Sequence, residues 1–402
     1  MPNNTATTIA PAQGRSDFFS NALAAIVAIG VLIWAWRLSG GVGEPLALSV
    51  LLGAAFGVLL QRSRFCFFCV TRDFLEGRDA RGLLGIIAAL AMGTLGYHLI
   101  FGLFVPDAAA GRLPPDAHIG PVSWVLAVAA FAFGVGMSLS GSCISAHLYR
   151  LGEGATESIA ALAGVLVGFA LGFATWNTLY LAAIDRAPVL WLPAMTGYGG
   201  SVLIQLGILG GLALLLMRWH RPAAPAAPAA PAAPPGLRAC LFGQRWPTYV
   251  GGLLIGALAI MAYLRVAPLG VTAEIGSIAR TTGAGFSLLP ERLQGLDGFS
   301  GCATAVKDTL LSENGAFIIA LVLGSFASAL AAGDFRPQPV TLASTTGKLA
   351  GGILMGWGAM TALGCTVGTL LSGIMAAAVS GWVFAFFCML GLWLTWLLKN
   401  RR

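Results

Sequence analysis

Residues 52–75 read LGAAFGVLLQRSRFCFFCVTRDFL, and the fold turns on where the apolar run in this stretch stops. The run covers 46–60 and carries Gly53-x-x-x-Gly57, a spacing that lets two membrane helices approach closely. It breaks at Gln61-Arg62-Ser63-Arg64. A second apolar piece follows at once, holds Cys66 and Cys69, and ends in Arg72-Asp73. A bilayer crossing takes about 20 helical residues, so the piece near 64–75 is too short to cross. The stretch therefore predicts a crossing followed by a re-entrant half-helix. Such irregular backbone is tolerated at membrane depth only where protein covers it or a cavity adjoins it.

Composition places the whole chain in the same setting. Of 402 residues, 57% are hydrophobic and 10% charged, against about 25% charged in an average soluble domain. Mean hydropathy is +0.83, and the class is all-α polytopic membrane protein with the lipid bilayer as its solvent. The net charge of +7 speaks to topology rather than to a nucleic-acid partner, because Lys and Arg collect on the cytoplasmic side. Seven cysteines, an odd number in largely apolar context, do not describe a disulfide framework. No phosphate loop, HExxH or hydrolase GxSxG occurs, so neither ATP coupling nor a bound cofactor nor a metal site is expected.

Apolar stretches of crossing length lie near 18–37, 46–60, 82–105, 121–139, 158–181, 199–219, 248–264, 315–332, 347–363 and 378–398, which predicts about ten crossings. Short Gly- and Ser-flanked pieces lie near 64–75, 141–150, 300–311 and 365–376. Residues 222–236, PAAPAAPAAPAAPPG, form a linker without core-forming capacity. The division is then 1–45, a tail and an extra helix; 46–219, a first membrane unit; 220–247, the linker; and 248–402, a second unit. The window 218–247 holds Arg218, Arg221, Arg238 and Arg245 and no acid, and the chain ends Lys399-Asn400-Arg401-Arg402. Both termini and the linker are expected in the cytoplasm.

The halves match. Gly252-x-x-x-Gly256 answers Gly53-x-x-x-Gly57. Gly134-x-Gly136 precedes Cys143 by nine and seven residues, and Gly356-x-Gly358 precedes Cys365 by the same nine and seven. Cys66 is followed by Arg72-Asp73 and Cys302 by Lys307-Asp308. With crossings counted from the linker, 46–60 and 248–264 run in opposite senses, so the repeats are expected to be inverted. Inverted repeats with interrupted helices mark transporters and channels, with the path near the pseudo-two-fold axis.

Cys66, Cys143, Cys302 and Cys365 are thus two matched pairs beside breaks in membrane helices. A thiol is soft and a weak donor, so it suits a sulfur-bearing ligand better than a hard oxyanion. Half-helix N-termini would balance an anion's charge, and Ser142, Ser300, Gly301 and Gly364 would expose backbone N–H groups to the path. Arg64 could guide an anion, or it is a positive-inside anchor. The competing view of the cysteines is that they are small buried hydrophobes. Cys66-Phe67-Phe68-Cys69 is also a CxxC string, which leaves a thiol–disulfide redox protein as a rival. Cys69 has no counterpart in the second half, and Cys388 is read as structural or incidental. Lys348 is expected to snorkel, and His98 and His147 to be satisfied locally.

The strings LGAAFGVLLQRSRFCFFCVTRDFL, FGVGMSLSGSC, GFSGCATAVKDTLL and MGWGAMTALGCTVGTLLSGI resemble the YeeE/YedE family, the sulfur-transport domain. The resemblance covers nearly all of the chain outside the N-terminal segment and the linker. It implies a pseudo-two-fold inner-membrane transporter that takes up thiosulfate or a related sulfur compound. It further implies a ligand handed between pore cysteines matching Cys66, Cys143, Cys302 and Cys365. Relatives of the YedE type are linked to selenium compounds, and many members work beside a small sulfurtransferase-like cytoplasmic partner. The Pro/Ala linker and Cys69 depart from the family pattern.

Overall fold

The structure is a computed structural model that describes residues 13–41, 43–221, 242–243, 245–285, 289–290, 292–296, 312–339 and 342–400. Ten long helices account for the expected crossings. They are α1 (Gln13–Gly41), α2 (Glu44–Ser63), α4 (Arg81–Phe104), α5 (Trp124–Ser140), α7 (Ser158–Leu179), α8 (Leu192–Trp219), α9 (Thr248–Arg265), α11 (Glu313–Ala332), α12 (Leu342–Thr361) and α14 (Val379–Asn400). Three of the short pieces are helical too: α3 (Phe67–Gly77), α6 (Ile144–Gly152), and a π-helical segment Thr366–Ser372 that runs into α13 (Gly373–Met375). The fourth, 300–311, lies outside the described residues. One helix was not anticipated: α10 (Ala273–Gly285), whose sequence AEIGSIARTTGAG is too polar to register as a crossing. Among the described residues, nine helices are long and apolar enough to cross a membrane, and the bent pair at α12 raises this to ten.

Local chemistry sets the ends. Pro falls in the first turn of α2 and of α8, where its missing N–H costs nothing. Ser123 caps α5 by accepting from the Leu126 N–H at 3.3 Å, and Ser312 caps α11 by accepting from the Gly315 N–H at 3.0 Å. The loops sort to two faces. On one, the ends of α2, α3, α4, α6, α8, α9, α11 and α14 gather. There Arg221 N donates to Arg78 O, Trp246 N to Arg62 O, and Arg336 N to Glu153 O. This face carries Arg62, Arg64, Arg72, Arg78, Arg81, Arg150, Arg245, Arg336 and Lys399. On the other, the loop 105–123 meets 185–191, with Val122 N donating to Pro188 O and Leu192 N to Ala377 O.

The matched elements make matched contacts. α2 packs on α11 and α9 on α4; α5 packs on α14 and α12 on α7; α5 and α12 also pack on each other. Glycine is what allows the approach. A Cβ on Gly53 or Gly57 would overlap the carbonyl of Phe317 or Leu321 on α11. A Cβ on Gly252 or Gly256 would meet the carbonyl of Gly85 or Ala89 on α4. The two Gly-x-Gly pairs divide the work identically. Gly134 abuts Cys388 on α14 and Gly136 abuts Gly351 on α12, while Gly356 abuts Val165 on α7 and Gly358 abuts Ala129 on α5.

α1 lies outside this exchange, against α2 and α11. Its inner face supplies Val31, Ala35 and Leu38 to a separate small cluster.

Candidate functional site

Three breaks in the helices are built alike. α2 ends in Arg64 with φ 50°, α5 in Gly141 with φ 80°, and α12 in Leu363 with φ 57°. Each left-handed residue stands two positions before a cysteine, Cys66, Cys143 or Cys365. After one linking residue (Phe65, Ser142 or Gly364) the cysteine caps the next short helix. Cys66 caps α3, Cys143 caps α6 and Cys365 caps the π-helical segment. The three short helices therefore present their N-terminal ends, with unsatisfied N–H groups and positive dipole, at the thiols. Gly364 has φ 155°, and a Cβ there would overlap the Thr369 side chain. Only glycine fits that approach.

All three thiols are fully buried. Cys66 Sγ accepts from the Cys69 N–H at 3.4 Å, and Cys365 Sγ from the Val367 N–H at 3.4 Å. The thiols of Cys66 and Cys143 are close neighbours. Cys143 Sγ also lies 3.3 Å from Ser145 Oγ. Cys365 neighbours the Thr272 hydroxyl and lies within electrostatic range of Cys143. The Ser142 hydroxyl is buried without a hydrogen-bond partner among the described residues. Cys302, Ser300 and Gly301 lie outside the described residues.

Cys69 enters the same cluster. It stands one turn into α3 beside Cys66, and Arg150 Nη2 donates to its thiol at 3.2 Å. Cys69 and Arg150 both line a cavity of about 730 Å3 on the basic face. A second cavity of about 470 Å3 adjoins it, and the two share Arg64, Tyr149, Arg150 and Arg245. Toward the opposite face the space near the break in α12 is only about 20 Å3, lined by His118, Thr361, Leu363 and Thr369 among others. That holds about one water. Burial pushes the His118 imidazole down to about 4, so this narrow side carries no histidine charge at neutral pH.

Among the nearby charges, Arg64 faces both cavities and is exposed, whereas Arg62 is buried with Asp334 Oδ2 3.7 Å from its Nη1. Gln61 Nε2 bridges two carboxylates, Glu153 at 3.3 Å and Asp334 at 3.2 Å. Burial raises the Glu153 pKa above its ordinary value of 4.5. Lys348 does not snorkel freely; it is ion-paired with Glu157. His98 is satisfied by Thr94 O and Ser201 Oγ, and His147 by Ser158 and Ser140. Cys388 is buried at the α5–α14 contact, where Gly134 meets its carbonyl.

Of the residues singled out in the sequence, Cys66, Cys143, Cys365, Arg64, Ser142 and Gly364 lie at the three helix breaks. Arg150, which the sequence reading did not single out, lies beside Cys69. The signal for Arg150 was a lone cation on a short helix that opens with a cysteine.

The chain is 25% identical over 366 residues to the thiosulfate transporter TsuA of Escherichia coli (strain K12), covering 88% of this chain and 94% of that one. It is 27% identical over 363 residues to the protein of the same name from Spirochaeta thermophila, covering 88% and 98%. A probable transporter, YedE of Escherichia coli (strain K12), is 28% identical over 215 residues, covering 52% of this chain and 49% of that protein. A family model described as sulphur transport matches residues 62–394, and the chain belongs to that family.

Proposed function

We propose that this protein carries a small sulfur-containing anion, thiosulfate foremost, across the cell inner membrane along a path lined by Cys66, Cys143, Cys302 and Cys365. The observation that carries the reading is the run of thiols from Cys69 through Cys66 and Cys143 toward Cys365, set at three short-helix N-termini and opening on basic cavities. The two relatives named thiosulfate transporters, matched over nearly their full length, support the substrate. Halves 46–219 and 248–402 act as inverted repeats in this reading, which the exchange of helix pairs supports. The basic face, with the linker and both termini, is cytoplasmic by the positive-inside rule, and a small sulfurtransferase-like protein would receive the anion there.

The relay is non-covalent. Neutral thiols donate weak S–H hydrogen bonds to the ligand's soft end, and helix N-termini offset its charge. No bond forms or breaks, so the path needs no reductant. The redox alternative requires exchange between Cys66 and Cys69, whose N-cap geometry would permit it. Yet Cys66 is fully buried beside Cys143, which disfavours exchange with an external disulfide. Selenium analogues share the soft chalcogen and would use the same contacts. The test is uptake of labelled thiosulfate by vesicles containing this protein alone. Saturable uptake is expected; its absence in vesicles with correctly folded protein overturns the reading.

A further inference from the structure

A guanidinium out of bulk water is costly unless acceptors or an anion satisfy it. Arg150, in the last turn of α6, is half-buried where the two cavities meet. Its hydrogen bond goes to the Cys69 thiol at 3.2 Å, a weak acceptor, and the Tyr149 side chain lies beside it. Among the described residues no carboxylate lies within 4.0 Å of it.

Several of its neighbours on this face are ion-paired, and Arg64, Arg78 and Arg336, which make no ion pair among the described residues, are exposed to water. Arg62 and Arg245 face Asp334, Arg72 faces Asp73, Arg81 faces Asp79 and Lys348 faces Glu157. Glu153 lines the same cavity, but it accepts from Gln61, and its burial favours the neutral acid. Arg150 is thus left with positive charge unspent, facing open volume, and directly joined to the thiol run.

We propose that Arg150 grips the oxyanion head of the ligand at this mouth while the ligand's terminal sulfur rests against the thiols of Cys69 and Cys66. The proposal deepens the reading above and rests on it for the identity of the cargo. It commits to a class: a small oxyanion that also bears a terminal soft chalcogen. The guanidinium fork matches two oxygens of such a head, and the thiols match the soft end. Recognition at two ends discriminates in both directions. Hydrosulfide has no head for Arg150, and sulfate offers nothing soft to the thiols. This contrast is what a path of cysteines alone does not provide.

The experiment uses the full chain in phosphatidylcholine nanodiscs, titrated with thiosulfate, and the same protein in vesicles assayed for uptake. The wild type is expected to bind thiosulfate more tightly than sulfate or hydrosulfide. R150Q should weaken thiosulfate binding and raise KM by about ten- to a hundredfold, the range for losing a charge-assisted hydrogen bond. Its preference for thiosulfate over hydrosulfide should shrink with it. R150K keeps the charge and loses the fork, so it should fall between the two. Should R150Q fail to insert, R150K alone decides, by a severalfold loss of affinity against none. Unchanged affinity and selectivity in folded variants overturn the proposal. If wild-type vesicles take up no thiosulfate, the transport reading falls, and the nanodisc titration still rules on Arg150: binding lost in R150Q upholds the site, equal binding refutes it.

Discussion

Cys66 and Cys143 meet thiol to thiol, each as the capping residue of a short helix that begins just past a left-handed turn. The contact joins two helix N-termini inside a bundle of apolar helices. Neither thiol is consumed by a disulfide. A pair so placed presents two soft groups and two sets of backbone donors to one point.

Removing a path thiol should therefore stop traffic without unfolding the protein. Cys143→Ala and Cys365→Ala each forfeit a weak hydrogen bond, about 1 kcal/mol of stability. Uptake per folded molecule is expected to drop at least tenfold in each, and in Cys302→Ala. A packing role gives the reverse, with lower yield and normal uptake per molecule. Uptake normalised to folded protein separates the two.

Cys69→Ser keeps an acceptor for Arg150 and leaves Cys66 facing Cys143. We expect reduced affinity for the soft end but continued transport. A redox enzyme needs both members of the CxxC pair. Complete loss of activity in Cys69→Ser, with a mixed disulfide trapped at Cys66, would favour the enzyme.

Acidity should help uptake. The Glu153 carboxyl lies in the 470 Å3 cavity near Gln61, Arg150, Arg64 and Asp334, and burial raises its pKa above 4.5. As pH rises through that raised value the group becomes an anion beside Arg150 and competes with the cargo for positive charge. The rate of thiosulfate uptake is expected to fall over that window and Glu153→Gln to flatten the fall. A profile identical in wild type and Glu153→Gln refutes the role.

The glycine contacts predict equivalence across the halves. Gly57→Leu drives a side chain into the Leu321 carbonyl, and Gly256→Leu into α4 at Ala89 and Met92. Each should cost about 1–3 kcal/mol by overpacking. Thermal unfolding in detergent should show similar losses for both, whereas Gly210→Leu, which meets nothing within 4 Å, should show none.

Topology is tested at Ala227 in the linker. A reporter active only outside the membrane should stay silent there. Strong activity would reverse the assignment of the basic face.

Long apolar helices were legible because membrane depth leaves no other way to satisfy the backbone. All ten stretches became helices, and the short pieces at 64–75, 141–150 and 365–376 became α3, α6 and the π-helical turn. α10 was not legible, since Thr281, Thr282 and the glycines at 276, 283 and 285 look like loop. The left-handed turns at Arg64 and Leu363 were hidden for a different reason. Glycine or asparagine is the usual sign of such a turn, and neither stands there. Cys69 was set aside because symmetry supplied no partner, and its contact with Arg150 was hidden because the two lie 81 residues apart in sequence.

The exchange of glycine contacts bears on motion. α2 of the first half is clasped to α11 of the second, and α9 to α4; α14 and α7 are likewise each clasped across the boundary. The halves are interleaved like clasped hands. Swinging one half against the other would prise backbone from backbone at every clasp. Any motion during transport is then expected in parts that the clasps leave out, α3, α6 and the turn after Cys365 among them. Tethering α2 to α11 by an engineered cross-link should leave turnover intact, and a tether that halts it would show that the hands must part.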